Sequence, residues 1–88
     1  MSLPTRILLH DAVTARIKDL AEEQGYSMDR LSHASGVPKS TLTDYMRGAS
    51  KDIKLSTIAK IANGFGMTIT GFFCEDWFDL IDIEELLG

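Results

Sequence analysis

The feature that most restricts this chain is its punctuation by glycine. Gly25, Gly36, Gly48 and then Gly64 or Gly66 close off stretches long enough only for brief helices, and each stretch carries apolar residues at helical spacing. In the first, Val13, Ile17, Leu20 and Ala21 form a stripe, while Arg16, Lys18, Asp19, Glu22 and Glu23 fill the other face. This predicts a helix starting near Asp11, whose carboxylate is favoured at a helix N-terminus, and stopping at Gly25. Ser27 is the expected cap of a second helix, Met28 to Ser35, with Leu31 and Ala34 inward and Gly36 at its end.

Val37-Pro38 opens a third helix, because proline is acceptable in a first turn, where an amide has no helical partner. Leu42 and Tyr45 are its inner face; Lys39, Ser40, Thr43 and Asp44 remain outside, and Gly48 ends it. After a loop from Ala49 to Lys54, the set Leu55, Ile58, Ile61, Ala62 and Phe65 predicts a fourth helix. Thr68 caps a fifth that buries Ile69, Phe72 and Phe73. No stretch alternates with the period of a strand, so the expected class is all-α. At 88 residues the chain supports one core, since a domain of this size buries only about 60% of its unfolded surface.

Charge divides the chain in two. The formal net charge of -4 argues at first against a nucleic-acid partner. Yet Glu75, Asp76, Asp79, Asp82, Glu84 and Glu85 all lie in the last fourteen residues, and the remainder carries nine basic against seven acidic side chains. Between Arg30 and Lys60, six basic residues face only Asp44 and Asp52. The expected organisation is therefore a domain over residues 1–74 and a short acidic, apolar C-terminal extension over 75–88, partly helical on the stripe Leu80, Ile83, Leu86 and Leu87. That extension is either a last helix covering the domain's flank or an exposed apolar surface that needs a partner. A second copy, another protein, or the chain's own basic surface are the candidate partners, with Trp77, Phe78, Leu80 and Ile83 as the contact residues.

Residues 27–48, SMDRLSHASGVPKSTLTDYMRG, place two short helices around a glycine-containing turn, and the second has a polar, basic N-terminal end. An α-helix fits the DNA major groove, with its first turns nearest the base edges. On that reading Lys39 donates to guanine O6 or N7, Ser40 donates or accepts, Thr43 offers a hydroxyl or a methyl for thymine, and Asp44 accepts from cytosine N4. Arg47, Lys51 and Lys54 lie just beyond as phosphate clamps, and the amides near Ser27 and Met28 accept a phosphate at the start of the second helix.

The same residues resemble the phage-repressor and Cro-like, or Xre-like, helix-turn-helix family. The likeness runs from Ala12 to Phe73, through Leu31, Ala34, Gly36-Val37, Ser40-Thr41-Leu42-Thr43, Tyr45 and Gly48, then Leu55 to Ala62, Met67-Thr68-Ile69 and Phe72-Phe73. It implies a compact five-helix repressor-like domain that binds double-stranded operator DNA, usually as a homodimer, and represses transcription. Two reading helices would then address half-sites roughly 34–36 Å apart. The chain departs from the family at Met28, where Gln is frequent, at Met46, where Glu is frequent, and at Gly71, where an acidic residue is frequent. The other reading is a protein-interaction or antitoxin-like regulatory module that works through the C-terminal extension.

Other chemistry has little to stand on. Cys74 is the single cysteine, which excludes an internal disulfide and fits a reducing, cytoplasmic setting. His10 and His33 have no companions at metal-ligand spacing, and Asp29, Ser32, His33 and Ser35 are too local to form a hydrolytic triad. No enzyme, metal, cofactor or membrane span is expected.

Overall fold

The computed structural model describes residues 9–50 and 52–74, and these form five helices: α1 (Leu9–Gln24), α2 (Met28–Ser35), α3 (Lys39–Met46), α4 (Leu55–Gly64) and α5 (Ile69–Phe72). Ala12, Val13, Ile17 and Leu20 from α1, Leu31 from α2, Leu42 and Tyr45 from α3, Ile58, Ile61 and Ala62 from α4, and Phe72 from α5 are buried. All but Ala12 join one core with Ala21, Val37 and Phe65, and burial of these side chains, at about 1.5–3 kcal/mol for each large one, is what assembles helices too short to stand alone.

Three of the helices end in the same way. The chain passes through a left-handed glycine, Gly25, Gly48 or Gly66, and the amide of the next residue folds back onto the helix: Tyr26 to the Ala21 carbonyl, Ala49 to that of Asp44, Met67 to that of Ala62. The end of α2 differs. Gly36 still returns its amide to the Ser32 carbonyl at 2.9 Å, but the next amide, of Val37, donates to the Ser35 hydroxyl at 3.2 Å. The Ser32 hydroxyl donates to the Val37 carbonyl at 2.6 Å. Two serines of α2 thus satisfy both polar backbone groups of Val37 while its side chain enters the core, and the chain is free to start α3 at once.

A second set of bonds comes from α1. The Nε2–H of His10 donates to the Tyr45 carbonyl at 2.6 Å, Gln24 Nε2 to the Phe65 carbonyl at 3.1 Å, and Arg16 to the carbonyls of Phe72 (2.7 Å) and Gly71 (3.0 Å). One helix therefore donates to the C-terminal carbonyls of α3, α4 and α5, none of which has a basic residue in its own last turn.

Three expectations about the inner faces need correction. Ala34 is exposed and Ser35 takes the buried position in α2, because the Ser35 hydroxyl has the Val37 amide as a partner on the spot. Leu55 is 62% exposed: it is the first residue of α4, and the buried stripe begins one turn later at Ile58. Ile69, at 38% exposure, stands at the edge of the core and leaves Phe72 as the anchor of α5. Gly64 packs against the end of α2 so closely that a Cβ there would lie 2.9 Å from the Ser35 Cβ and 3.0 Å from its Cα and backbone nitrogen.

Candidate nucleic-acid interface

The local chemistry of α2 and α3 explains which side chains reach solvent. Ser27, in extended conformation, accepts the Arg30 amide at 3.1 Å and starts α2 one residue later. Pro38 precedes α3 and fixes its entry without a side-chain cap. With Leu42 and Tyr45 drawn into the core, Lys39, Ser40 and Thr41 stand exposed on the first turn of α3, followed by partly exposed Thr43 and Asp44 and by exposed Arg47.

Thr43 does not present a free hydroxyl proton. Its Oγ1 donates back along the helix to the carbonyls of Lys39 (3.0 Å) and Ser40 (3.2 Å), which leaves acceptor lone pairs and the methyl group for a ligand. Thr41 is the exposed side chain that sequence reasoning passed over. Like Ser40, it stands on the first turn of α3, clear of the core that Leu42 and Tyr45 enter.

Two ion pairs hold the basic groups. Lys39 Nζ lies 3.0 Å from Asp29 Oδ1, linking the first turns of α2 and α3, and Arg47 Nη2 lies 2.9 Å from Asp44 Oδ1 one turn along α3. All four side chains are about half exposed or more, so each pair contributes about 0–1 kcal/mol and a phosphate or a guanine edge competes readily for the cation. In the sequence Asp29 stands only among residues too local for a triad; the fold brings it to Lys39.

Met28 and Met46 are partly buried and pack against the core, so neither supplies a polar contact from its side chain. At Met28 this leaves the backbone amides of the α2 N-terminus, beside Ser27, as the groups available to an anion. Lys54 is exposed at the start of α4, where its carbonyl accepts the amides of Thr57 and Ile58. Lys51 lies outside the described residues, as do Trp77, Phe78, Leu80, Ile83 and the rest of the C-terminal extension.

Two short helices are joined by a tight glycine turn, the second inward through Leu42 and Tyr45 and polar at its leading end, and residues 17–72 match the helix-turn-helix family. The chain belongs to the helix-turn-helix family. The family is a DNA-binding and non-catalytic one, and among the described residues of this helix-turn-helix protein no group of three or more His, Cys, Asp or Glu side chains is placed to hold a metal ion. No described helix is long and apolar enough to cross a membrane. Comparison with curated proteins gave no match, and comparison with solved structures gave none.

Tyr45 is the titratable group most affected by this packing. Burial raises its phenol to about 12, and the carboxylates of Asp52 and Asp11 push in the same direction. In the unfolded chain the phenol ionises near its ordinary value of about 10. The unfolded state therefore gives up the proton first, so the stability this residue contributes is intact below about pH 10 and is lost as pH rises towards 12. In a Tyr26→Phe chain, which keeps Tyr45 as its one tyrosine, the phenolate absorbance is expected to appear near pH 12 and together with loss of helix by circular dichroism. An onset near pH 10 in a chain that is still folded would contradict the placement of Tyr45.

Proposed function

We propose that this helix-turn-helix protein is a sequence-specific repressor that binds double-stranded operator DNA as a homodimer. The observation that carries the reading is the division of α3: Leu42 and Tyr45 are sealed in the core while Lys39, Ser40 and Thr43, with Asp44, occupy its outer face. In this proposal those four read base edges. Arg47, Lys51 and Lys54, with the amides beside Ser27 and Met28, hold phosphates, and the pairs Lys39–Asp29 and Arg47–Asp44 open as the DNA replaces the carboxylates. Trp77, Phe78, Leu80 and Ile83 join the two copies, so that twofold symmetry in the protein meets twofold symmetry in the operator.

The test is selection from a random duplex library followed by titration across a salt series. A palindromic motif is expected, with affinity falling steeply as salt rises. Lys39→Ala is expected to relax the preference at one base pair per half-site by roughly tenfold. Arg47→Ala should instead weaken all duplexes evenly and make the salt dependence shallower. Failure of the folded protein to enrich any duplex, together with capture of a different protein through the Trp77 segment, would replace this reading with the protein-interaction one.

A further inference from the structure

We infer that His10, which lies ahead of the residues matched to the family, is a positioning residue for the DNA-reading helix. The inference rests on the reading of α3 given above. The helix α3 spans Lys39–Met46, has no basic residue in its last turn, and lacks a side-chain cap at its first. Its inward side chains, Leu42 and Tyr45, with Met46 partly buried beside them, fix its depth in the core, but apolar packing of this kind is non-directional and sets no bond at the C-terminal end of the helix.

The His10 ring supplies a directional contact. Its side chain is 13% exposed, and the Nε2–H donates to the Tyr45 carbonyl at 2.6 Å; since a carbonyl only accepts, that nitrogen carries the proton. The same ring meets the Tyr45 ring edge-on, with centroids 4.7 Å apart and planes at 68°. Its Cε1 also lies 3.9 Å from where a Cβ on Gly48 would stand, so the ring sits against the turn that closes α3. The Tyr45 carbonyl accepts the Gly48 amide as well. His10 thus holds one carbonyl, one aromatic ring and one turn at the C-terminal end of α3, away from Lys39 and Ser40 on its first turn. A hydrogen bond and an edge-to-face contact at that end define the direction in which the other end points.

The role separates into two chemical parts that different variants isolate. His10→Phe keeps a ring beside Tyr45 and removes the donor; His10→Gln keeps an amide donor and removes the ring. Ile17→Val, fully buried and seven residues along α1 from His10, serves as a control for a comparable small loss of stability. For the duplex selected by the unaltered protein, His10→Phe is expected to bind about three- to tenfold more weakly, the factor corresponding to one lost hydrogen bond, with His10→Gln recovering most of the loss and Ile17→Val unchanged. In parallel, amide exchange at Arg47, Gly48 and Ala49 should quicken in His10→Phe and not in Ile17→Val. If His10→Phe leaves both the affinity and those amides as they were, or if Ile17→Val weakens binding as much, His10 does not position α3. If the unaltered protein selects no duplex, the DNA reading fails. The exchange rates still decide whether His10 holds the helix: quickened exchange supports the contact, and unchanged exchange overturns it.

Discussion

Phe72→Ala is expected to destabilise the domain by about 3–5 kcal/mol, enough to leave much of the chain unfolded at room temperature. The helix α5 covers only Ile69–Phe72, a length with no stability of its own, and of its two large apolar residues Ile69 is partly exposed while Phe72 is fully buried. Other ties include the Thr68 hydroxyl, which accepts the Gly71 amide at 3.0 Å, Arg16 on the carbonyls of Gly71 and Phe72, and the partly buried Phe73. Those bonds orient the segment, but the burial of one aromatic ring is what attaches it. Truncating the ring removes its transfer free energy and leaves a cavity beneath Phe73, whose ring packs edge-on against it at 5.1 Å. Urea denaturation followed by circular dichroism measures the cost. A change below about 1 kcal/mol would mean that α5 does not close the core.

Gly64→Val is expected to cost about 3 kcal/mol, at the upper end of overpacking effects, and Gly64→Ala should have the same sign. The second substitution is the sharper one in principle, since glycine to alanine in a free helix gains up to about 1 kcal/mol. Here the new Cβ would stand 2.9 Å from the Ser35 Cβ and 3.0 Å from two of its backbone atoms, and backbone cannot swing aside as the tip of a long side chain can. Asn63→Ala, one residue earlier and exposed, is the reference: it should be neutral or mildly stabilising. The displaced Ser35 also holds the Val37 amide, so the clash reaches the turn between α2 and α3. Thermal melts of the three variants decide the matter; a Gly64→Ala protein that melts above the parent would disprove the close approach.

The parts legible from residue order are those whose chemistry is local. Ser27 and Thr68 cap the helices expected of them, and Gly25, Gly36 and Gly48 end theirs, because each cap depends on residues no more than five apart. The Arg47–Asp44 pair also follows from spacing on one helix. Inner faces were harder. Helical spacing from Leu31 points to Ala34 on α2, but Ser35 is the buried one because its hydroxyl has a partner in the Val37 amide; Leu55 fits the stripe of α4 but stands beyond the surface it packs on. Beyond reach altogether were Asp29 beside Lys39, Ser35 beneath Gly64, and the donations of His10, Arg16 and Gln24 to carbonyls 35, 56 and 41 residues away. Such contacts are set by how helices cross, and each could be replaced by another polar residue with no trace in the local pattern.

The bonds that α1 sends to Tyr45, Phe65, Phe72 and Gly71 bear on how the molecule comes apart. A bundle whose members touch only side by side can shed an outer member while the others persist. Here a single rod ties down the trailing tips of three others, so loosening it frees those three tips in the same event. The free energy of opening would then be similar at the C-terminal turns of α3, α4 and α5. A protein built this way loosens those three turns together rather than one at a time.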